Sequence, residues 1–228
     1  ISPGASDAVS YLSRTGKRPL VHLHELGVLG PHVVLAHAVH LDDRECEAAL
    51  STRTAIASCP WAYLRLAQGF ITHGRHGELY LAGGRLALGC DAENAGDAVD
   101  ILRAAALFVG VARDRTSDAY SLTARDGLAL ATIRGAEALG KADTIGSIEP
   151  GKRADLVVHD ARAPQFTPRS TDPVLELVWS TDGRSVNDVV VDGRIVIRDK
   201  RCVTVDIDAL RDEAQARRDH FLSLRNGG

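Results

Sequence analysis

Apolar residues recur along this chain at two spacings. Short continuous runs over 33–39, 54–59 and 85–89 are brief, rich in Val, Ile, Leu and Ala, and bounded by Gly or Pro, which predicts buried strands. Between and after them the apolar positions move to helical spacing, as at Val99, Leu102, Ala106 and Val109. Helices are expected over 6–13, 19–26, 42–50, 76–82, 98–112 and 123–139. Asp42 followed by Glu45 resembles a capping box, and Gly140 is a helix stop. Strand and helix alternate, which predicts parallel βα units.

The pattern changes near residue 143. Pro150-Gly151 suits the centre of a type II turn, and 154–159 reads as a strand. Val189-Val190-Val191-Asp192-Gly193-Arg194-Ile195-Val196 is a hairpin with an Asp-Gly turn. Ile207, Leu210, Ala214, Phe221 and Leu224 mark one face of a last helix. The expected fold class is α/β, with βα units over 1–142 and a small β-rich unit with a carboxyl-terminal helix over 143–228.

The strand ends carry the chemistry. In a (β/α)₈ barrel, side chains at the carboxyl ends of strands face the active-site mouth. Asp91 closes the run 85–89 through Cys90, and a carboxylate there can ligate a divalent metal or accept a proton from activated water. It could equally cap a helix or pair with a loop cation. His37 lies in the apolar run 33–39 and can ligate a metal, stabilise a developing oxyanion, or bond to backbone as a core histidine. On a continuous strand His40 would face away from His37, as a supporting group at the pocket edge. Glu93, Asn94 and Asp97 follow Asp91 and can line a polar pocket or cap the next helix. Glu93, Asn94 and His40 are the candidate substrate-binding residues. His73 and His76 read as solvated surface, and Cys59 and Cys90 as inert buried thiols rather than ligands.

Composition narrows the class. The 228 residues are 45% hydrophobic and 25% charged, ordinary for a globular protein, and the net charge of −3 makes no electrostatic case for nucleic acid or an anionic membrane. The four cysteines form no C-x-x-C pair, so reduced thiols in a cytoplasmic protein are expected rather than a disulfide framework. Only about three βα units fit, fewer than a closed barrel needs. With no Met in the chain, the expectation is the carboxyl-terminal portion of a larger enzyme.

The chain resembles the amidohydrolase superfamily, in the branch of guanine, cytosine and S-adenosylhomocysteine deaminases and triazine hydrolases. Four passages carry the likeness: residues 26–43 with His37 and His40; Leu86-Ala87-Leu88-Gly89-Cys90-Asp91; the run 136–158 with Gly146-Ser147-Ile148-Glu149-Pro150-Gly151-Lys152-Arg153-Ala154-Asp155; and the hairpin at 189–196. The resemblance implies the carboxyl-terminal part of a (β/α)₈ barrel plus a small β-sandwich. It implies Asp91 as the eighth-strand metal ligand and proton acceptor, and His37 as the sixth-strand histidine that bonds substrate. A first-strand His-x-His and a fifth-strand His would precede Ile1, and Ser2-Pro3 stands about where a proton-shuttling glutamate belongs. Ser58-Cys59-Pro60 replaces His-Asn-Pro or His-Cys-Pro, and Gly89-Cys90-Asp91 replaces Gly-Thr-Asp. The implied activity is metal-dependent hydrolysis of a nitrogen heterocycle (a purine, pyrimidine or triazine) with zinc, or else iron. Alternatives are an amide- or chloride-displacing hydrolase, or a non-catalytic fragment lacking the first-strand ligands. A half barrel exposes strand edges, so homo-oligomerisation or completion by an amino-terminal half is expected.

Overall fold

A computed structural model describes residues 1–96 and 99–226. The chain divides into two compact units, Ile1–Lys152 with Arg162–Arg184, and Arg153–Ala161 with Ser185–Gly228. The expected division lay at 142/143; in the structure the chain stays with the first unit to Lys152 and returns to it at Arg162. Among the described residues no helix is long and apolar enough to cross a membrane.

The first unit is built on a parallel sheet of β1 (Val34–Ala36), β2 (Ala55–Ser58) and β3 (Leu86–Leu88), in that order. Leu35 pairs with Ile56, and Ile56 with Leu86, so the three strands end close to level. Helices α1 (Ala5–Thr15) and α2 (Pro19–Glu25) precede the sheet, and α3 (Asp43–Ser51) crosses from β1 to β2. The path to β3 uses α4 (Pro60–Arg65), α5 (Phe70–His73) and α6 (His76–Leu81). After β3 come α7 (Glu93–Gly96), α8 (Ile101–Thr116), α9 (Ala124–Ala131) and α10 (Ile133–Ala138). Beyond Arg162, α11 (Pro173–Leu175) runs into a π-helical turn at Glu176–Ser180.

The core joins β2 to the helices around it: Ile56, Leu20, Val39, Tyr63, Phe108, Val109 and Leu130 are all buried. Local signals act at several helix starts. Asp42 accepts from the Glu45 amide at 2.9 Å while the Glu45 carboxylate accepts from the Asp42 amide at 3.2 Å, the expected capping box. Glu45 is also fully buried, accepting from the Arg18 guanidinium and from the Leu20 amide at 3.0 Å. One carboxylate thus ties α2 to α3. The expected caps for the helix after Asp91 are corrected. Asp100 caps α8, accepting from the amides of Leu102 and Arg103, whereas Asn94 lies within α7 and Asp97 lies outside the described residues. The expected single helix over 123–139 breaks at Thr132, whose hydroxyl instead bonds the Leu128 carbonyl at 2.7 Å.

Ile1 and Ser2 run beside β1. The Ala38 amide donates to the Ile1 carbonyl at 2.8 Å and the His40 amide to the Ser2 carbonyl at 3.2 Å.

The second unit is an antiparallel sheet of β4 (Leu156–His159), β5 (Val186–Val191), β6 (Arg194–Arg198) and β7 (Arg201–Cys202), in chain order, followed by α12 (Ile207–Asn226). Asp192 and Gly193 both take positive φ between β5 and β6, as the hairpin signal requires. Asp199 and Lys200 do the same between β6 and β7.

Candidate active site

The three parallel strands end in donor side chains. His37 follows β1 and Cys59 follows β2 directly, and Asp91 follows β3 after Gly89-Cys90. Ladder bonds carry the strand ends level: the His37 amide donates to the Ala57 carbonyl at 3.1 Å, and the Gly89 amide to the Ser58 carbonyl at 2.8 Å. A ring nitrogen of His37, the Cys59 Sγ and a carboxylate oxygen of Asp91 all lie within 4.8 Å of one another.

The backbone turns sharply at this point. His37, Ala38 and Asp91 have φ of +73°, +57° and +63°, conformations that cost non-glycine residues about 1–2 kcal/mol each. Such strain gathers where a fold holds side chains for function. It also corrects the expected strand over 33–39. The strand stops at Ala36, the chain turns, and His40 is not related to His37 by strand alternation. Nε2 of His40 donates to the Gln68 carbonyl at 2.7 Å, and its ring lies 5.0 Å from that of His73. His40 is therefore not brought into the donor cluster.

Nδ1 of His37 is buried, lacks a hydrogen-bond partner, and lies 3.8 Å from Asp91 Oδ2. Burial lowers the His37 pKa, and the Asp91 carboxylate opposes that shift. Oδ1 of Asp91 accepts from the Ala92 amide at 2.7 Å. Burial and the nearby carboxylate push the Cys59 thiol up to about 11. A Cβ on Gly89 would sit 3.0 Å from Cys59 Sγ, so the bare glycine leaves the thiol its place. The Tyr63 ring meets His37 edge-on at 5.8 Å, and burial raises its phenol pKa. Ser2 is buried, with a hydroxyl that finds no partner. Glu93 and Asn94 begin α7 and are exposed. Gly96 brings that turn against the chain just after β3: a Cβ there would lie 2.3 Å from the Cys90 carbonyl oxygen.

Sequence reasoning missed two residues. Cys59 is one; its apolar neighbours pointed to an inert thiol, and only the strand order places it between His37 and Asp91. His76 is the other. The expected surface histidine is fully buried, with Nε2 donating to the Ala38 carbonyl at 3.1 Å and Nδ1 accepting from the Ser58 hydroxyl at 2.9 Å. Burial lowers its pKa to about 4. Gly77 held a signal for this, since a Cβ there would lie 3.0 Å from that of Ala112, a close approach of α6 to α8.

Comparison with known proteins places the chain in a family. The amidohydrolase family model matches residues 6–196. A curated 5-methylthioadenosine/S-adenosylhomocysteine deaminase of Syntrophobacter fumaroxidans is 31% identical over 215 residues, covering 94% of this chain and 48% of the relative. A solved adenosine deaminase of Xanthomonas campestris with bound zinc superposes with a TM-score of 0.92 at 29% identity, covering 98% of this chain and 50% of that one. The zinc complex of an atrazine chlorohydrolase of Arthrobacter aurescens gives a TM-score of 0.85 at 25% identity, covering 93% and 46%. The chain spans about half the length of the curated relatives it matches.

Proposed function

The chain belongs to the amidohydrolase family, and on that footing we propose that it supplies the carboxyl-terminal part of a (β/α)₈ hydrolase that displaces nitrogen from a heterocyclic ring. The observation that carries this reading is the convergence of His37, Cys59 and Asp91 at the carboxyl ends of three adjacent parallel strands. Ile1 and Ser2, hydrogen-bonded beside β1, would be the end of a preceding barrel strand. The outer edge of β3 has no strand partner among the described residues, which suits closure by upstream chain or by another copy. The antiparallel sheet of the second unit would form one layer of the small β-sandwich. Four free thiols suit a reducing cytoplasmic setting.

The residues fit a divalent metal. Imidazole nitrogen, thiol sulfur and carboxylate oxygen are the donors zinc takes, and the buried, unpaired Nδ1 of His37 is aimed toward the carboxylate. When bound, zinc or iron would lower the pKa of a coordinated water toward neutrality. Asp91 would hold the metal and take the proton from the attacking water. With Oδ1 engaged by the Ala92 amide, Oδ2 is the free oxygen facing the cluster. His37 would hydrogen-bond the substrate as charge develops on the ring. Water oxygen adds to the ring carbon, the carbon–nitrogen bond breaks, and the proton taken by Asp91 passes to the departing nitrogen. Glu93 and Asn94, on the turn after Asp91, would meet the substrate's polar edge.

The test is turnover of a panel of aminopurines, aminopyrimidines and amino- or chlorotriazines by the full-length protein, with metal content measured on the same sample. Asp91→Ala is expected to abolish metal-dependent turnover. Near-normal activity in that variant overturns the assignment.

A further inference from the structure

We propose that Cys59 donates its thiolate to the same metal as Asp91, so that this protein's metal site holds a sulfur donor. The inference rests on the metal-site reading above. Three independent features place Cys59 for this role. Its Sγ lies within 4.8 Å of the donor atoms of both His37 and Asp91, a spread that one ion at ordinary zinc–ligand distances can close with small side-chain rotations. Gly89, on the neighbouring strand end, presents no Cβ, and any side chain there would crowd the sulfur. Pro60 opens α4 immediately after Cys59, restricting the Cys59 backbone and fixing where its side chain leaves the β2 end.

Position and burial distinguish this cysteine from the others. Cys59 is 6% exposed yet sits at the mouth end of the central strand, flanked on both sides by strands that end in donors. Cys46 is buried within α3, Cys202 lies in β7 of the second unit, and Cys90, although it precedes Asp91, is not in the donor cluster. Binding is balanced simply: the thiol gives its proton to solvent as the sulfur–metal bond forms. A thiolate is a soft donor, so the site would favour zinc, cobalt or cadmium over magnesium or manganese.

Cobalt(II) exchanged into the chelator-treated protein tests this, because sulfur ligation gives an intense near-ultraviolet charge-transfer band that nitrogen and oxygen ligation do not. The native protein is expected to show that band together with the weaker visible bands of bound cobalt. Cys59→Ser and Cys59→Ala should each lose the charge-transfer band and keep the visible bands, which also report that the variants remain folded. Cys90→Ser should keep both. Visible bands without charge transfer in the native protein overturn the sulfur donor and leave the metal site standing. Charge transfer that survives both Cys59 variants, or that disappears in Cys90→Ser, also overturns it. No cobalt bands of either kind in the native protein overturn the metal site itself, and this inference with it.

Discussion

His76 donates from Nε2 to the carbonyl of Ala38 at 3.1 Å, from a ring with no exposure to solvent. A carbonyl can only accept, so Nε2 carries the proton, and in the neutral ring Nδ1 accepts from the Ser58 hydroxyl. Ala38 follows His37 and Ser58 precedes Cys59. One buried imidazole on α6 therefore pins the strand ends that present two of the three donors, with the rings of Tyr63 and Phe70 packed around it. It is not one of the three side chains grouped as donors, and its role is positional.

His76→Phe preserves most of the volume and removes both hydrogen bonds. The Ala38 carbonyl and the Ser58 hydroxyl would be left buried without this partner, at roughly 1–3 kcal/mol each. The expected loss is roughly 2–5 kcal/mol, read from denaturant midpoints at pH 7. A loss under about 0.5 kcal/mol would show that the pin carries little weight.

The same residue sets a pH dependence. Burial lowers its pKa from 6.5 to about 4, so below 6.5 the unfolded chain takes up a proton that the folded chain refuses. Its contribution is complete above pH 6.5 and is lost as pH falls from 6.5 to 4, amounting to roughly 3 kcal/mol. Thermal midpoints of the native chain should fall through that window. Those of His76→Phe should fall less, and parallel curves would refute the assignment.

Glu45 shows no exposure and accepts from Arg18 Nε at 2.9 Å and from the Leu20 and Asp42 amides. Glu45→Gln keeps the shape and removes the charge, leaving the mostly buried Arg18 guanidinium with Asp42 as its remaining carboxylate. The expected cost is about 3 kcal/mol. A double-mutant cycle with Arg18→Met should return coupling of at least about 1 kcal/mol, and additive losses would contradict the link between α2 and α3.

In the second unit, Lys200 has φ of +65° in the β6–β7 turn, and its amide donates to the Asn187 carbonyl at 2.8 Å. Lys200→Gly removes the steric cost of that conformation and is expected to stabilise by about 0.5 kcal/mol after the greater backbone freedom of glycine is offset. Lys200→Pro can adopt neither the dihedral nor the hydrogen bond and should destabilise by about 3 kcal/mol. Thermal melts of the two variants should move in opposite directions.

What this sequence determined by itself was local. The apolar runs located β1, β2 and β3 to within a few residues, Asp42 and Glu45 announced the start of α3, and Asp192-Gly193 specified its turn, because each signal acts between residues adjacent in the chain or one helical turn apart. His37 and Asp91 were legible as candidates because apolar runs ended near them. The tertiary structure decided which side chains share a space. Cys59 joins His37 and Asp91 only because β2 lies between β1 and β3 in matched register. His76 is buried because α6 packs closely on α8, and His37 departs from strand geometry because Ala38 is bonded on one side to the Ile1 carbonyl and on the other to His76. These are contacts between segments distant in sequence. Spacing along a chain reports which face of an element is apolar, and it leaves open which other element that face will meet.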